Sequence, residues 1–346
     1  MKIEITGRDR LAKFDCPDDQ EILFAGLAAG LGLPYECGTG TCASCKATLE
    51  SGSVDPGWTE APARRHVSDE KKEILMCQAR PREDCRVAIR GKLQEPSAHL
   101  PQLATGVIEA VTPLNHNVLR LVIRPDRAIP YDAGQFMLVD VPDVPGYRGW
   151  SMAGFGATGE TLTFTVKLMP GGSVSSWLSD ADRSGVPVTL FGPLGKASYQ
   201  PERDTADLIC VAGGSGLAPI LSILDRAAEA GHFARHRADV FFGVRAFEDL
   251  YEMDRLRAIA NAYPDHVSLT LAFSDERPSA TEQESLAPAA VAEGFVHDVM
   301  GAAMMGKFEG VLAYLAGPPQ MVEAAMRLLV LQGKVPPTRI RYDKFS

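Results

Sequence analysis

The stretch Tyr35–Cys45, YECGTGTCASC, constrains this chain more than any other. Cys37, Cys42 and Cys45 stand in a C-x4-C-x2-C spacing, and Cys77 follows in LMCQA. The residues between the first three cysteines are small or hydroxylated: Gly38, Thr39, Gly40, Thr41, Ala43 and Ser44. Glycine reaches positive φ at little cost, so such a loop can turn its N–H groups inward toward an anionic inorganic core.

Four thiolates at this spacing match the ligand set of a plant-type [2Fe–2S] cluster, held by Cys37, Cys42, Cys45 and Cys77. A structural zinc would also take four cysteines. Zinc ribbons, however, usually present two C-x2-C knuckles, and here there is one. Unrelated buried thiols are a third use, which a run of cysteines in a Gly/Thr loop argues against. Cys16, Cys85 and Cys210 lie outside the motif and read as structural. On these residues, 1–93 resemble a plant-type ferredoxin domain. Most of the 346-residue chain lies beyond it and has to account for the source of electrons.

A formal charge of −9 argues against a nucleic-acid partner, which needs basic surface. Seven cysteines imply no disulfide framework, which fits a reducing compartment. MKIEITGRDR lacks the apolar core of a signal peptide. The longest apolar stretch, Ile22–Leu33, is too short to span a bilayer. The expectation is a cytoplasmic protein without a membrane segment.

Alternation in Lys2–Ile5 and Leu11–Asp15 around a polar turn predicts a hairpin. Asp18 with Glu21 predicts a helix cap, followed by the stripe Ile22, Leu23, Leu27, Leu31. Lys46–Glu50 reads as a strand, Ser68–Lys72 as a short helix delivering Cys77, and Val87–Ile89 as the strand that closes the sheet. The ferredoxin resemblance implies a β-grasp arrangement of these pieces. Gln94–Gln102, with two prolines and no periodicity, reads as a linker that permits some motion. Short β-rich runs punctuated by Gly and Pro then fill residues 103–203: Thr105–Val111, Val118–Arg124, Gln135–Val139, Thr161–Leu168 and Pro187–Leu190. They predict a small antiparallel barrel.

Two motifs in that barrel carry chemistry. Arg148-Gly149-Trp150-Ser151 offers a phosphate partner, a stacking aromatic and a hydroxyl. Gly171-Gly172-Ser173-Val174-Ser175 opens a helix, where free N–H groups and the dipole favour a pyrophosphate. Together they resemble the R-x-Y-[ST] and G-[GR]-x-S-x-x-L elements of the ferredoxin–NADP reductase superfamily, with Trp150 where that family usually has Tyr. Tyr131–Phe136 (YDAGQF) and Thr165-Val166-Lys167 resemble further elements of it. The resemblance implies FAD, contacted also by Lys167.

Asp207–Ala212 is a continuous apolar run, as a buried parallel strand should be. It enters Gly213-Gly214-Ser215-Gly216 and then a helix through Ala230, an arrangement that presents backbone N–H groups to a pyrophosphate. Strand–helix alternation continues through Asp239–Val244, Glu248–Ala262, Val267–Phe273, Val311–Ala316, Gln320–Gln332 and Arg339–Tyr342. Residues 204–346 therefore read as a doubly wound α/β nucleotide domain. Ala316-Gly317-Pro318-Pro319-Gln320-Met321 resembles the superfamily's C-G-P-P-x-M, which implies Gly317 and Pro318 where nicotinamide meets flavin. Phe345, close to the terminus, resembles an aromatic that covers the flavin. The segment after Val244 has one basic residue, Arg245, and then Glu248 and Asp249; acids repel a 2′-phosphate, which favours NADH.

The order of parts resembles the NADH-dependent reductase component of bacterial multicomponent oxygenases, of the soluble diiron monooxygenase type. That resemblance implies a hydride taken from NADH near Ser151 and Phe345, and single electrons passed through a [2Fe–2S] cluster. The implied partner is an oxygenase or its Rieske ferredoxin. The reductase of a Rieske-type ring dioxygenase is the alternative.

Overall fold

The computed structural model describes residues 1–156 and 158–345, and these form three large sheets in chain order and a two-stranded one, Val54–Asp55 with Arg80–Pro81, beside the first. The first has five strands, in the order Leu11–Asp15, Lys2–Thr6, Cys85–Ala88, Lys46–Ser51, Glu73–Leu75. The hairpin register sets Ile3 opposite Phe14, and Ile3 and Ile5 point into the core. The helix Ile22–Ala28 buries six of its seven residues over this sheet, giving the β-grasp shape.

Four local expectations are corrected here. Asp18 does not cap the helix: Glu21 holds the cap position without a side-chain bond, and its carboxylate takes Arg80 instead, at 2.8 and 3.0 Å. Leu31 lies beyond the helix end at Ala28. Ser68–Lys72 is a turn, and Lys72 at φ 50° breaks any helix there; the helical turn is Pro62–His66, which Pro62 opens. Finally, Cys85–Ala88 sits mid-sheet and pairs in parallel with the first strand rather than closing an edge.

The second sheet runs Arg148–Ser151, Phe136–Asp140, Pro187–Leu194, Gln102–Pro113, Val118–Pro125, Leu162–Lys167. A bridge between Met152 and Phe164 joins its two edges, so the sheet closes into the expected barrel. Alternation splits the strand Phe136–Asp140. Met137 and Val139 fill the barrel, while Phe136 and Leu138 join the ferredoxin core.

That shared core is the seam between the first two domains. Phe24 stacks on Phe191 at 4.5 Å and meets Tyr147 edge-on at 5.6 Å. The linker is pinned rather than loose. Gln94 bridges Gly32 and accepts from Lys196 Nζ at 2.6 Å, Ser97 accepts from Gln135 at 3.4 Å, and His99 lies 3.6 Å from Asp132.

The third sheet is wholly parallel, in the order Ala290–Glu293, Val267–Phe273, Ala238–Val244, Leu208–Gly213, Leu312–Gly317, Ile340–Lys344. Helices Leu217–Glu229 and Met253–Ala262 cover one face, Val296–Ala303 and Pro319–Leu331 the other. The order reverses beside Leu208–Gly213, the crevice where open α/β sheets take ligands. The helix expected from Glu248 starts only at Met253, because Glu252 adopts φ 56°. Among the described residues, no helix is long and apolar enough to cross a membrane.

Candidate electron-transfer site

The cluster loop is built on left-handed turns. Gly38, Gly40 and Ala43 have φ of 70°, 86° and 63°. These turns aim N–H groups at sulfur: Thr39 N at Cys37 Sγ, 3.4 Å, and Cys37 N at Cys42 Sγ, 3.5 Å. Cys45 and Cys77 are buried with their sulfurs 3.2 Å apart, while Cys37 and Cys42 are half-buried. Among the described residues no three Cys, His, Asp or Glu side chains converge on one ion. The thiols fall instead into two pairs, the donor arrangement for two irons with two thiolates each, and unlike a single zinc site. The hydrogen bond from Cys42 is the main cause that draws Cys37 down to about 4, aided by Thr41 and Thr39; the same contact pushes Cys42 up. Contact with Cys45 and burial likewise raise Cys77.

The loop meets the barrel at one point. A Cβ on Gly38 would lie 3.0 Å from Leu138 Cδ1. Beside that contact Tyr35 OH accepts from Gly195 N at 3.0 Å, and Lys196 Nζ sits over the Tyr35 ring at 5.4 Å. A cavity of about 250 Å³ opens here between the three domains, lined by Tyr35, Glu36, Phe136, Lys196 and Asp343 among others.

Across the strand pair, Phe136 faces Ser151. Ser151 Oγ lies 3.5 Å from Asp343 Oδ2 on the last strand, and burial raises the Asp343 carboxyl to about 7. Asp343 was not foreseen; its signal is its position two residues before the terminal aromatic. The Trp150 ring packs against Phe164 at 6.1 Å with 9% of its surface open. Arg148 Nη1 rests on the carbonyls of Gly146 and Tyr147, at 2.9 and 3.2 Å.

Gly171 has φ 69° with open space where a side chain would be, and Gly172 caps the helix Ser173–Ser179 with no side chain on its first-turn N–H groups. That cradle suits a phosphate. Val174 is buried beneath it, and Ser175 Oγ accepts from Met169 N at 2.8 Å, holding the turn in shape. Thr165 Oγ1 is buried without a partner among the described residues. It lies two residues before Lys167 on a strand beside the Gly214–Gly216 turn. A buried hydroxyl without a partner carries a desolvation cost that a polar ligand removes. The residues therefore fit a flavin in this cleft.

The nucleotide cavity, about 390 Å³, opens at the carboxyl ends of the parallel strands. Lys167, Gly213, Gly214, Ser215 and Pro318 line it, with Arg245, Asp249 and Phe295 farther along. A Cβ on Gly216 would meet Ala316 O at 2.0 Å, so only glycine lets this turn rest on the neighbouring strand. Gly317 O accepts from Phe345 N at 3.0 Å, which brings the terminal aromatic to the Gly317–Pro318 turn.

Fold and site define a nucleotide-dependent flavin reductase fused to an iron–sulfur domain. The comparisons agree. Residues 5–82 match the 2Fe-2S iron-sulfur cluster binding domain, and residues 210–327 the oxidoreductase NAD-binding domain. The ferredoxin–NAD(+) reductase component of the alkene monooxygenase system of Xanthobacter autotrophicus is 32% identical over 96% of this chain and 97% of its own. The reductase component of phenol 2-monooxygenase from a Pseudomonas is 31% identical over 100% of this chain and 94% of its own. Among solved structures, the ferredoxin reductase in carbazole 1,9a-dioxygenase has a TM-score of 0.84 at 29% identity, covering 100% of this chain and 99% of that one. The chain belongs to the family of ferredoxin–NAD(P)+ reductase components of oxygenase systems. It is an NAD(P)H oxidoreductase carrying a [2Fe–2S] cluster and FAD.

Proposed function

We propose that this chain is the reductase of a multicomponent monooxygenase, drawing hydride from NADH and delivering single electrons to the oxygenase or to its Rieske ferredoxin. One observation carries the reading: a single strand, Phe136–Asp140, touches the cluster loop through Leu138 and faces Ser151 through Phe136. Cross-strand partners and alternate residues share one face of a sheet, so Leu138, Phe136 and Ser151 form one row from the cluster loop to the flavin motif. In this reading residues 1–93 form the ferredoxin domain, 94–102 the linker, 103–203 the flavin barrel and 204–346 the nucleotide domain.

Cys37, Cys42, Cys45 and Cys77 ligate the cluster. Arg148, Trp150, Ser151, Lys167 and Gly171–Ser175 hold the flavin; Gly213–Gly216, Gly317 and Pro318 hold the dinucleotide. Bound there, FAD accepts two electrons as a hydride and gives them up singly, and the [2Fe–2S] cluster carries one at a time. The chain supplies distance and orientation. Ser151 sets the geometry at the point of transfer, Asp343 Oδ2 can hold a proton beside Ser151 Oγ near neutral pH, and Phe345 closes the site over the Gly317 turn. Unpaired cysteines support a cytoplasmic setting. The alternative acceptor, a ring dioxygenase system, is supported by the structural likeness to the carbazole dioxygenase's reductase.

An anaerobic NADH titration, followed by visible absorbance and EPR, tests the electron path. Flavin bleaching with a rhombic S = 1/2 signal is expected. Cys42→Ser should abolish cytochrome c reduction and leave flavin bleaching by NADH intact. Cytochrome c reduction that survives in this variant would remove the cluster from the path.

A further inference from the structure

A short arch of chain beside the cluster loop carries side chains that the fold does not use. Residues 56–66 are held at several points next to the cluster cysteines. Ala63 N donates to Gly40 O at 3.0 Å, and a Cβ on Gly40 would lie 3.2 Å from Ala61 Cβ. Lys46 Nζ donates to His66 O at 2.8 Å. Gly57, at φ 66°, has no room for a side chain against Gln78 O, and the Gln78 amide reaches to 3.7 Å from Cys77 Sγ. Ala61 and Ala63 are buried, while Trp58, Pro62, Arg65 and His66 face outward. Trp58 is 49% exposed, whereas Trp150 and Trp177 are buried. Among the described residues Arg65 bonds to His66, Nε to Nε2 at 3.1 Å, and pairs with no carboxylate. Arg80, Arg82, Arg86 and Arg90, elsewhere on the domain, each hold a glutamate or an aspartate.

We infer that Trp58 and Arg65 form the docking surface for the protein that takes single electrons from the cluster, and that this partner meets them with an acidic face. The inference rests on the electron path above and adds the place where electrons leave. Tryptophan and arginine are the side chains that contribute most at protein interfaces, and here both stand in water on a pinned backbone. Position selects the kind of partner. Gly40 lies between Cys37 and Cys42, Lys46 follows Cys45 and Gln78 follows Cys77, so a protein seated on the arch stands close to the cluster. Charge selects the partner's sign. Trp58–His66 holds Arg64 and Arg65 against Glu60, a formal +1 in a chain of −9. An acidic protein is repelled by the chain as a whole and drawn to the arch, which orients it before contact.

The test compares two haem proteins as one-electron acceptors, acidic cytochrome b5 and basic cytochrome c, on the full-length holoprotein with NADH. The readout is the ratio of kcat/KM for cytochrome b5 to that for cytochrome c. Arg65→Glu should lower this ratio about tenfold at low ionic strength, and the effect should shrink at high salt, where exposed charges are screened. Trp58→Ala should lower it about tenfold at either salt, the size of one interface anchor. Both side chains are exposed, and damage to the flavin or the cluster moves both acceptors and leaves the ratio alone. An unchanged ratio in either variant would overturn the inference. So would a wild-type dimer in sedimentation that Trp58→Ala dissociates, since the surface would then belong to a second copy. Should the wild-type protein reduce ferricyanide but neither haem protein, the electron path itself fails, and that arm reports it separately.

Discussion

The barrel meets its two neighbours in different ways. Toward the ferredoxin domain the seam is apolar: Phe24, Phe191, Leu138 and Leu194 belong to one continuous core. Toward the nucleotide domain an apolar contact, in which Val118, Ala133 and Tyr199 join that domain's core, is flanked by polar and charged bonds. Asp204, at the junction of the two, accepts from Gln200 N and Arg203 Nε on the barrel side at 2.8 and 2.9 Å, and from both guanidinium nitrogens of Arg341 at 2.6 Å and Tyr314 OH at 2.9 Å on the nucleotide side. Arg255 spans from Asp225 to Ala153 O, and Arg120 reaches Glu252 at 2.6 Å. An apolar seam excludes water and fixes a distance. A polar seam leaves a cleft beside it, and the flavin motifs and the nucleotide cavity lie along that cleft.

Breaking the polar seam should have the largest effect. Asp204 is buried, and its arginine partners hold its carboxyl well below the usual range. Asp204→Asn leaves Arg341 facing an uncharged partner and should cost about 3–5 kcal/mol, the range for breaking a buried pair. Thermal unfolding followed by flavin fluorescence would show it, with early FAD release and retained cluster absorbance. The sign with pH follows: a depressed carboxylate stabilises above its unfolded value and loses that contribution as pH falls through the folded one. Acid should therefore open this seam before the apolar one.

A smaller effect is expected at the apolar seam. Phe24→Leu keeps most of the volume and loses the ring pairs with Phe191 and Tyr147, about 1 kcal/mol. Cytochrome c reduction should fall while NADH-driven ferricyanide reduction holds; equal losses in both would mean that the seam does not set the inter-site distance. The mildest change is at Asp343, where the two seams meet. Its carboxyl is raised to about 7, so the fold favours its protonated form and stability declines as pH rises from the unfolded value toward neutrality. Asp343→Asn should remove that decline, and should flatten any inflection near pH 7 in flavin reduction, read by stopped-flow absorbance.

The apolar runs and glycine turns made the parallel sheet and the cluster loop legible in the sequence, because each is dictated locally: a buried strand needs Leu208–Gly213 to be apolar, and the loop needs positive φ at Gly38 and Gly40. Elements set by distant partners were not legible. In one dimension Arg148–Ser151 shows a motif and not a strand, since its pairing with Phe136–Val139 is decided by the barrel. The short strand Ala290–Glu293 and the helix Val296–Ala303 had no periodicity long enough to stand out. Asp343 and Thr165 are ordinary polar residues in one dimension. Only the meeting of elements far apart in sequence gives Asp343 its burial and Thr165 its missing partner.

The linker, bonded to the ferredoxin domain at Gln94 and to the barrel from Gln94 to His99, behaves as a strap and not as a swinging arm. Electron flow between the two redox sites then needs no diffusional search inside the molecule. The internal step should be indifferent to solvent viscosity, leaving only the encounter with the outside acceptor to feel the drag of the medium.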